Sequence, residues 1–211
     1  MLVTGAEISQ DPSVYSGKAS EILSHSVLSK TKLTVDNGAV EQGILETFPE
    51  VETVKFTSSV VGSSPKLKLT LSTPVLVMNS DSGQYLVNRE GKVVAEPSKS
   101  FEELPQVYDR SAVLIKVGES TLRSDQVKFI LEVNEMFEAS GKSIELFELP
   151  NKSTNQVDAK LTGEKYIIKY SFSLDSQLQT GKYFALLPTI EQGSKPNEYV
   201  DLRVGERAYI K

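Results

Sequence analysis

The chain has 211 residues, no cysteine, a single histidine (His25) and a formal net charge of −5. It can therefore form no disulfide, zinc-thiolate site or cysteine nucleophile, and its acidity excludes a general electrostatic attraction to nucleic acid or anionic lipid. No apolar run approaches the roughly 20 residues that span a bilayer, and Met1-Leu2-Val3-Thr4-Gly5 lacks the charged and apolar regions of a signal peptide.

A short apolar start at Leu2 and Val3 leads to an expected helix over residues 15–28, where Ala19, Ile22, Leu23, Val27 and Leu28 recur at spacings of three and four. A second helix is expected from an N-cap near Asp36 to Phe48, with Val40, Ile44, Leu45 and Phe48 as its apolar stripe. Pro49 ends it, because the residue before proline disfavours the α region. Two alternating strands follow, over 51–59 and 66–72, around the turn signal Gly62-Ser63-Ser64-Pro65. The order is strand, helix, helix, strand, strand.

Pro74 marks the expected passage into a second, strand-rich region. Residues 75–78 and 84–88 flank Asp81-Ser82-Gly83 as a hairpin, and Arg89-Glu90-Gly91 turns into a strand over 92–95. The stretch 97–109, with Pro105 inside it, reads as loop, and 112–117 as a buried strand. Ser124 is the expected N-cap of a helix over 125–140, with Val127, Ile130, Leu131 and Phe137 on one side and Gly141 at the C′ position. Strands over 143–149, 157–162 and 165–174 come next, the last two around Gly163-Glu164. A helix over 176–190 is weakened by Gly181 and Pro188.

The chain closes on Tyr199-Val200-Asp201-Leu202-Arg203-Val204-Gly205-Glu206-Arg207-Ala208-Tyr209-Ile210. Period-2 alternation sets Val200, Leu202 and Val204 against Tyr199, Asp201 and Arg203, a strand with one buried face. As the final element it has nothing after it to pair with, so it is expected to be an open edge that another chain can extend by adding a strand. Val200 and Leu202 are expected in the core. Tyr199, Asp201 and Arg203 are expected on the exposed side, with Arg203 able to pair with an acidic partner residue.

No catalytic constellation stands out. His25 lies between two serines on the first helix with no evident partner, and reads as a surface or half-buried helix residue. Nucleophile elbow, P-loop and His-Glu-x-x-His signatures are absent. Glu102, Glu103, Glu132, Glu135, Glu145 and Glu148 include carboxylate pairs of the type a glycosidase uses, but nearness in sequence does not place them across a cleft, and they read as solvated charges. Tyr166, Tyr170 and Phe172 share a strand face with Ile168, a core face in preference to a sugar platform. Asn151-Lys152-Ser153 matches a glycosylation sequon, a pattern frequent by chance.

Several pieces, in order, carry a resemblance. They are Phe48-Pro49-Glu50-Val51-Glu52-Thr53-Val54, the strand 67–71 followed by Thr73-Pro74-Val75, Tyr85-Leu86-Val87-Asn88-Arg89-Glu90-Gly91-Lys92-Val93, Leu104-Pro105, and Tyr199-Val200-Asp201-Leu202-Arg203. Together the chain resembles the extracytoplasmic region of the bacterial cell-division family FtsQ/DivIB. The resemblance implies an α+β fold: a POTRA domain (β-α-α-β-β) over 1–73, then a mixed β-sheet domain with flanking helices over 74–211. It implies a non-enzymatic divisome scaffold without cofactor or metal, held in the cell membrane by an upstream anchor helix, with this region outside at the septum. Its implied partners are FtsB/DivIC- and FtsL-like proteins, not nucleic acid, bound by strand addition at Tyr199, Val200, Asp201, Leu202 and Arg203, with Val204, Arg207 and Tyr209 as neighbours. Departures are Asn88 where the family usually has Asp, Ser72 or Thr73 where it has Arg, and a longer segment over 10–33. Competing classes are a hydrolase of cell-wall glycan and a POTRA protein of a secretion or assembly system.

Overall fold

Five elements open the chain in the expected order: β1 (Leu2–Thr4), α1 (Pro12–Ser29), α2 (Asn37–Thr47), β2 (Val51–Thr57) and β3 (Lys66–Leu71). This is a computed structural model, and it describes residues 2–4, 11–29, 37–57, 66–151, 153–193, 195–205 and 207–211. In the first sheet β3 is central, parallel to β1 and antiparallel to β2. The alternation of β3 sends Leu67, Leu69 and Leu71 to one face. There they meet Val51, Val54 and Phe56 from β2, and Tyr15, Ala19, Val40, Ile44 and Phe48 from the helical side. Leu45, expected in the stripe of α2, is instead exposed. The Asp36 cap, the 62–65 turn and the side chains of Leu23, His25, Val27 and Leu28 lie outside the described residues.

The rest of the chain builds one large mixed sheet. Its elements are β4 (Leu76–Ser80), β5 (Gly83–Val87), β6 (Val93–Ala95), β7 (Gln106–Asp109), α3 (Ser124–Ala139), β8 (Ile144–Leu149), β9 (Gln156–Leu161), β10 (Ile167–Ser171), α4 (Ser176–Glu191), β11 (Tyr199–Asp201) and β12 (Tyr209–Ile210). Nine strands lie in the order β12-β11-β10-β9-β8-β7-β4-β5-β6. Three neighbouring pairs are parallel: β4/β7, β7/β8 and β10/β11. A parallel pair needs a crossover; the β5–β6 segment serves the first, and α3 and α4 serve the other two.

Val127, Ile130, Val133 and Phe137 of α3 and Tyr183 and Ile190 of α4 pack with Met78, Val107, Phe147, Ala159, Ile168 and Val200 in a single core. On the opposite face a smaller group, Val77, Leu86, Val94 and Phe101, covers only the β4–β6 end. The alternate side chains of β8 to β12 are left without a helix over them. The fold is thus α+β, with one hydrophobic cluster in the first stretch of sequence and two, a large and a small, in the second.

Three expectations are corrected. Residues 106–109, read as loop, form β7 inside the sheet between β4 and β8. Residues 112–117, read as a buried strand, form no strand. Ala112 takes φ +59, and Val113, Leu114 and Val117 are exposed while Ile115 alone is buried. Finally, Arg123 occupies the N-cap of α3, with Ser124 its first residue. The Gln126 side chain accepts from the Arg123 backbone N–H at 3.0 Å, satisfying a donor at the helix start.

The hairpin around Asn88 shows why its residues occur as they do. Asn88 Oδ1 accepts from Lys92 N at 2.9 Å. An aspartate would supply the same acceptor. Gly91 has φ +81, and a Cβ there would meet the Leu122 carbonyl oxygen at 2.0 Å. Only glycine fits that position.

Candidate interaction edge at the end of the chain

The closing residues do not run as one strand. β11 ends at Asp201, the chain turns at residues 204–205, and β12 returns antiparallel to it, pairing Val200 with Ile210 and Asp201 with Tyr209. The expectation that β11 is an open edge is therefore corrected: β11 is flanked by β10 and β12, and β12 is the end strand. The physical reason lies in Gly205, whose φ of +41 lets the chain reverse and cover the edge it has just made.

The geometry of that end strand is specific. Lys211 N donates to Tyr199 O at 3.0 Å and Tyr199 N to Lys211 O at 3.4 Å, so these two residues form a hydrogen-bonded pair. Opposed residues in an antiparallel pair alternate between bonded and non-bonded. Ile210, opposite Val200, therefore turns its N–H and C=O away from β11 and out of the sheet. Its side chain is exposed, as is that of Tyr209.

Each residue singled out in the sequence has a definite place. Val200 and Leu202 are fully buried in the core, as expected. Asp201, expected on the exposed side, is only 9% exposed, a correction with a clear cause. Arg203 Nε donates to Asp201 Oδ1 at 2.8 Å, Nη2 donates to Oδ2 at 2.6 Å, and Nη1 donates to Gln156 Oε1. The Arg203 hydrogen bonds hold the Asp201 carboxyl below its ordinary range. Arg203 is thus committed within the chain instead of standing free for an acidic partner. Tyr199 and Arg203 are half-buried, and Val204, Arg207 and Tyr209 are exposed.

Three neighbours were not legible in the closing sequence. Gln156, on β9, donates from Nε2 to Asp158 Oδ1 at 2.7 Å while accepting from Arg203. Lys169 of β10 pairs in register with both Asp158 and Asp201, and its ammonium lies 4.3 Å from the centre of the Tyr199 ring. That is a cation–π contact. From the helix face, Lys182 Nζ donates to Leu202 O at 2.9 Å and Gly205 O at 2.6 Å. Beside it a groove of about 280 Å³ runs between α4 and the closing turn, lined by Leu174, Leu178, Lys182 and Gly205.

The alternative chemistry finds its carboxylates dispersed. Glu132 accepts from Ser176 Oγ at 2.5 Å, Glu145 pairs with Lys160 at 2.9 Å, and Glu148 pairs with Arg110 at 3.2 Å. Tyr166 and Tyr170 are buried in the core and Phe172 packs against it, so they form no open platform. Among the described residues no group of His, Cys, Asp or Glu is arranged to hold a metal ion, and no helix is long and apolar enough to cross a membrane. No protein-family model matches the chain, and no curated protein sequence matches it.

Proposed function

We propose that this chain is the extracytoplasmic part of a cell-division scaffold of the FtsQ/DivIB type, with residues 1–73 as a POTRA domain and 74–211 as the partner-binding domain. Its work is binding rather than catalysis. At the outer face of the cell membrane, at the septum, it takes an extended segment of an FtsB/DivIC-like partner and, with an FtsL-like protein, links it to septal peptidoglycan synthesis. The β-α-α-β-β order of the first unit and the ordered series of motifs ending in Tyr199-Val200-Asp201-Leu202-Arg203 support this reading.

The observation that carries it is the outward-facing backbone of Ile210 on the end strand of a nine-stranded sheet. An added strand takes affinity from such backbone groups and specificity from alternating side chains, here Tyr209 on one face and Ile210 on the other. Compared with the sequence-based expectation, the docking strand moves outward from β11 to β12.

The test is a calorimetric titration of the chain against the extracytoplasmic part of the FtsB/DivIC-like protein of the same organism, with wild type and Ile210→Pro. Proline removes the outward N–H while the Tyr199–Lys211 bonds stay. Binding by the wild type that weakens about tenfold in Ile210→Pro is expected. Absence of binding by folded wild type overturns the function, and equal binding by both moves the site away from β12.

A further inference from the structure

The edge strand is too slight to hold itself. β12 has two residues, and none of the described residues between β11 and β12 lies in a strand. Two-stranded ribbons are marginal in water even when longer. At its far end Lys211 accepts from the backbone N–H groups of Asn197 and Glu198 and pairs with Glu198, and the turn that leads into β12 is held separately.

Two cations grip the turn from opposite faces of the sheet. Lys182 binds the carbonyls of Leu202 and Gly205 from the helix side. On the open side Arg203 ties Asp201 of β11 to Gln156 of β9, passing over the intervening strand. The residue opposite Gln156 on β10 is Ser171, whose short side chain leaves room for the guanidinium to pass. The fork of Arg203 spends Nε and Nη2 on Asp201 and Nη1 on Gln156, a geometry that lysine cannot reproduce. The amide of Gln156 is matched to its place: its oxygen faces the guanidinium and its nitrogen faces the Asp158 carboxylate.

We propose that Gln156 and Arg203 are positioning residues that latch the closing turn and thereby hold β12 as the edge of the sheet. The latch is anchored on β9, away from the strand it controls. It rests on the reading of β12 as the partner's docking edge only for its functional meaning, since the latch operates in the free protein. A substitution at Gln156, which is not on the edge, then acts on partner binding by releasing β12.

Hydrogen–deuterium exchange followed by NMR on the whole chain, with no partner present, tests this. The amides compared are Lys211, bonded to Tyr199 O, and Ala159 and Ile168 in β9 and β10. Lys211 is expected to be protected in wild type and to exchange about tenfold faster in Gln156→Leu, the loss of one charge-assisted bond, while Ala159 and Ile168 stay unchanged. Gln156→Glu made together with Asp158→Asn, so that no second carboxylate faces the new one, restores an acceptor for Arg203 and is expected to restore Lys211 protection. An unprotected Lys211 in wild type, unchanged protection in Gln156→Leu, loss across all three amides, or failure of that double variant to rescue each overturns the latch. The titration above decides the function separately. A wild type that binds no partner defeats that reading and leaves the exchange result standing.

Discussion

Arg203 holds Asp201 through two parallel hydrogen bonds, Nε to Oδ1 at 2.8 Å and Nη2 to Oδ2 at 2.6 Å, and the carboxylate side chain is only 12% exposed. The two residues are two apart on an extended segment, so they share a face. Bonding to the guanidinium lowers the Asp201 carboxyl from its ordinary value of 3.8. A carboxyl depressed in the folded state contributes stability that is fully present above its unfolded value, and loses it as pH falls through the lower folded value. Wild type is therefore expected to lose stability below about pH 4, and Arg203→Ala to lose less over that window. At pH 7 Arg203→Ala is expected to cost about 2 kcal/mol, because it strands a nearly buried carboxylate. Melting temperatures of the two proteins between about pH 3 and 7 check both points.

Asp158 carries the opposite sign. It is 8% exposed, and burial, the largest influence, raises its carboxyl above the ordinary value despite the Gln156 hydrogen bond and the charges of Lys169 and Arg203; Glu148 adds to the rise. A carboxyl raised in the folded state is destabilising when ionised. That cost is fully present above the folded value and disappears as pH falls toward the unfolded one. Asp158→Asn keeps the acceptor for Gln156 Nε2 and removes the buried charge. It is expected to raise Tm at pH 7 by about 2–4 °C, the response to about 1 kcal/mol in a domain of this size, with the gain shrinking as pH approaches about 4. A lower Tm at pH 7 would show that attraction to Lys169 and Arg203 outweighs burial.

What was legible in the sequence was what is local. The period-2 runs of β2 and β3 and the helical stripes of α2 and α3 declared themselves because each buries one face against a single layer. Gln106 defeated the same logic: it lies next to Pro105 and looks like loop, but its amide nitrogen is satisfied by the carbonyls of Phe101 at 3.1 Å and Leu104 at 2.9 Å, letting β7 sit inside the sheet. At the closing edge the alternation of Tyr199 to Arg203 was readable. Gln156 was not, because the bond joining it to Arg203 spans 47 residues and follows from a strand order that no local pattern encodes.

The segment 112–117 was misread for a related reason, and its correction is testable. Its apolar run suggests burial, but the left-handed turn at Ala112 diverts the chain before a strand can form. Leu114 is 63% exposed and Ile115 6%. Ile115→Ala is expected to cost about 2–4 kcal/mol through the cavity it leaves, and Leu114→Ser to stay within about 0.5 kcal/mol of wild type. Urea midpoints of the two variants measure this contrast. Equal destabilisation would mean that Leu114 is covered in solution.

Beneath the sheet, the hydroxyls of Tyr166 and Tyr183 meet at 2.9 Å inside the helix-covered core. Burial pushes both phenols up, so both stay protonated and one donates to the other. Tyr166→Phe or Tyr183→Phe alone leaves the other hydroxyl without this partner, at an expected cost of about 1–2 kcal/mol. Removing both hydroxyls leaves two apolar rings of the same shape facing each other, and the double variant is expected to recover most of the loss. A double-mutant cycle by denaturant unfolding reads this directly as a coupling of about 2 kcal/mol. Strict additivity of the two single losses would mean that each hydroxyl has another partner. The cycle would then report two separate bonds, in place of one shared bond between the residue that precedes β10 and the crossover helix α4.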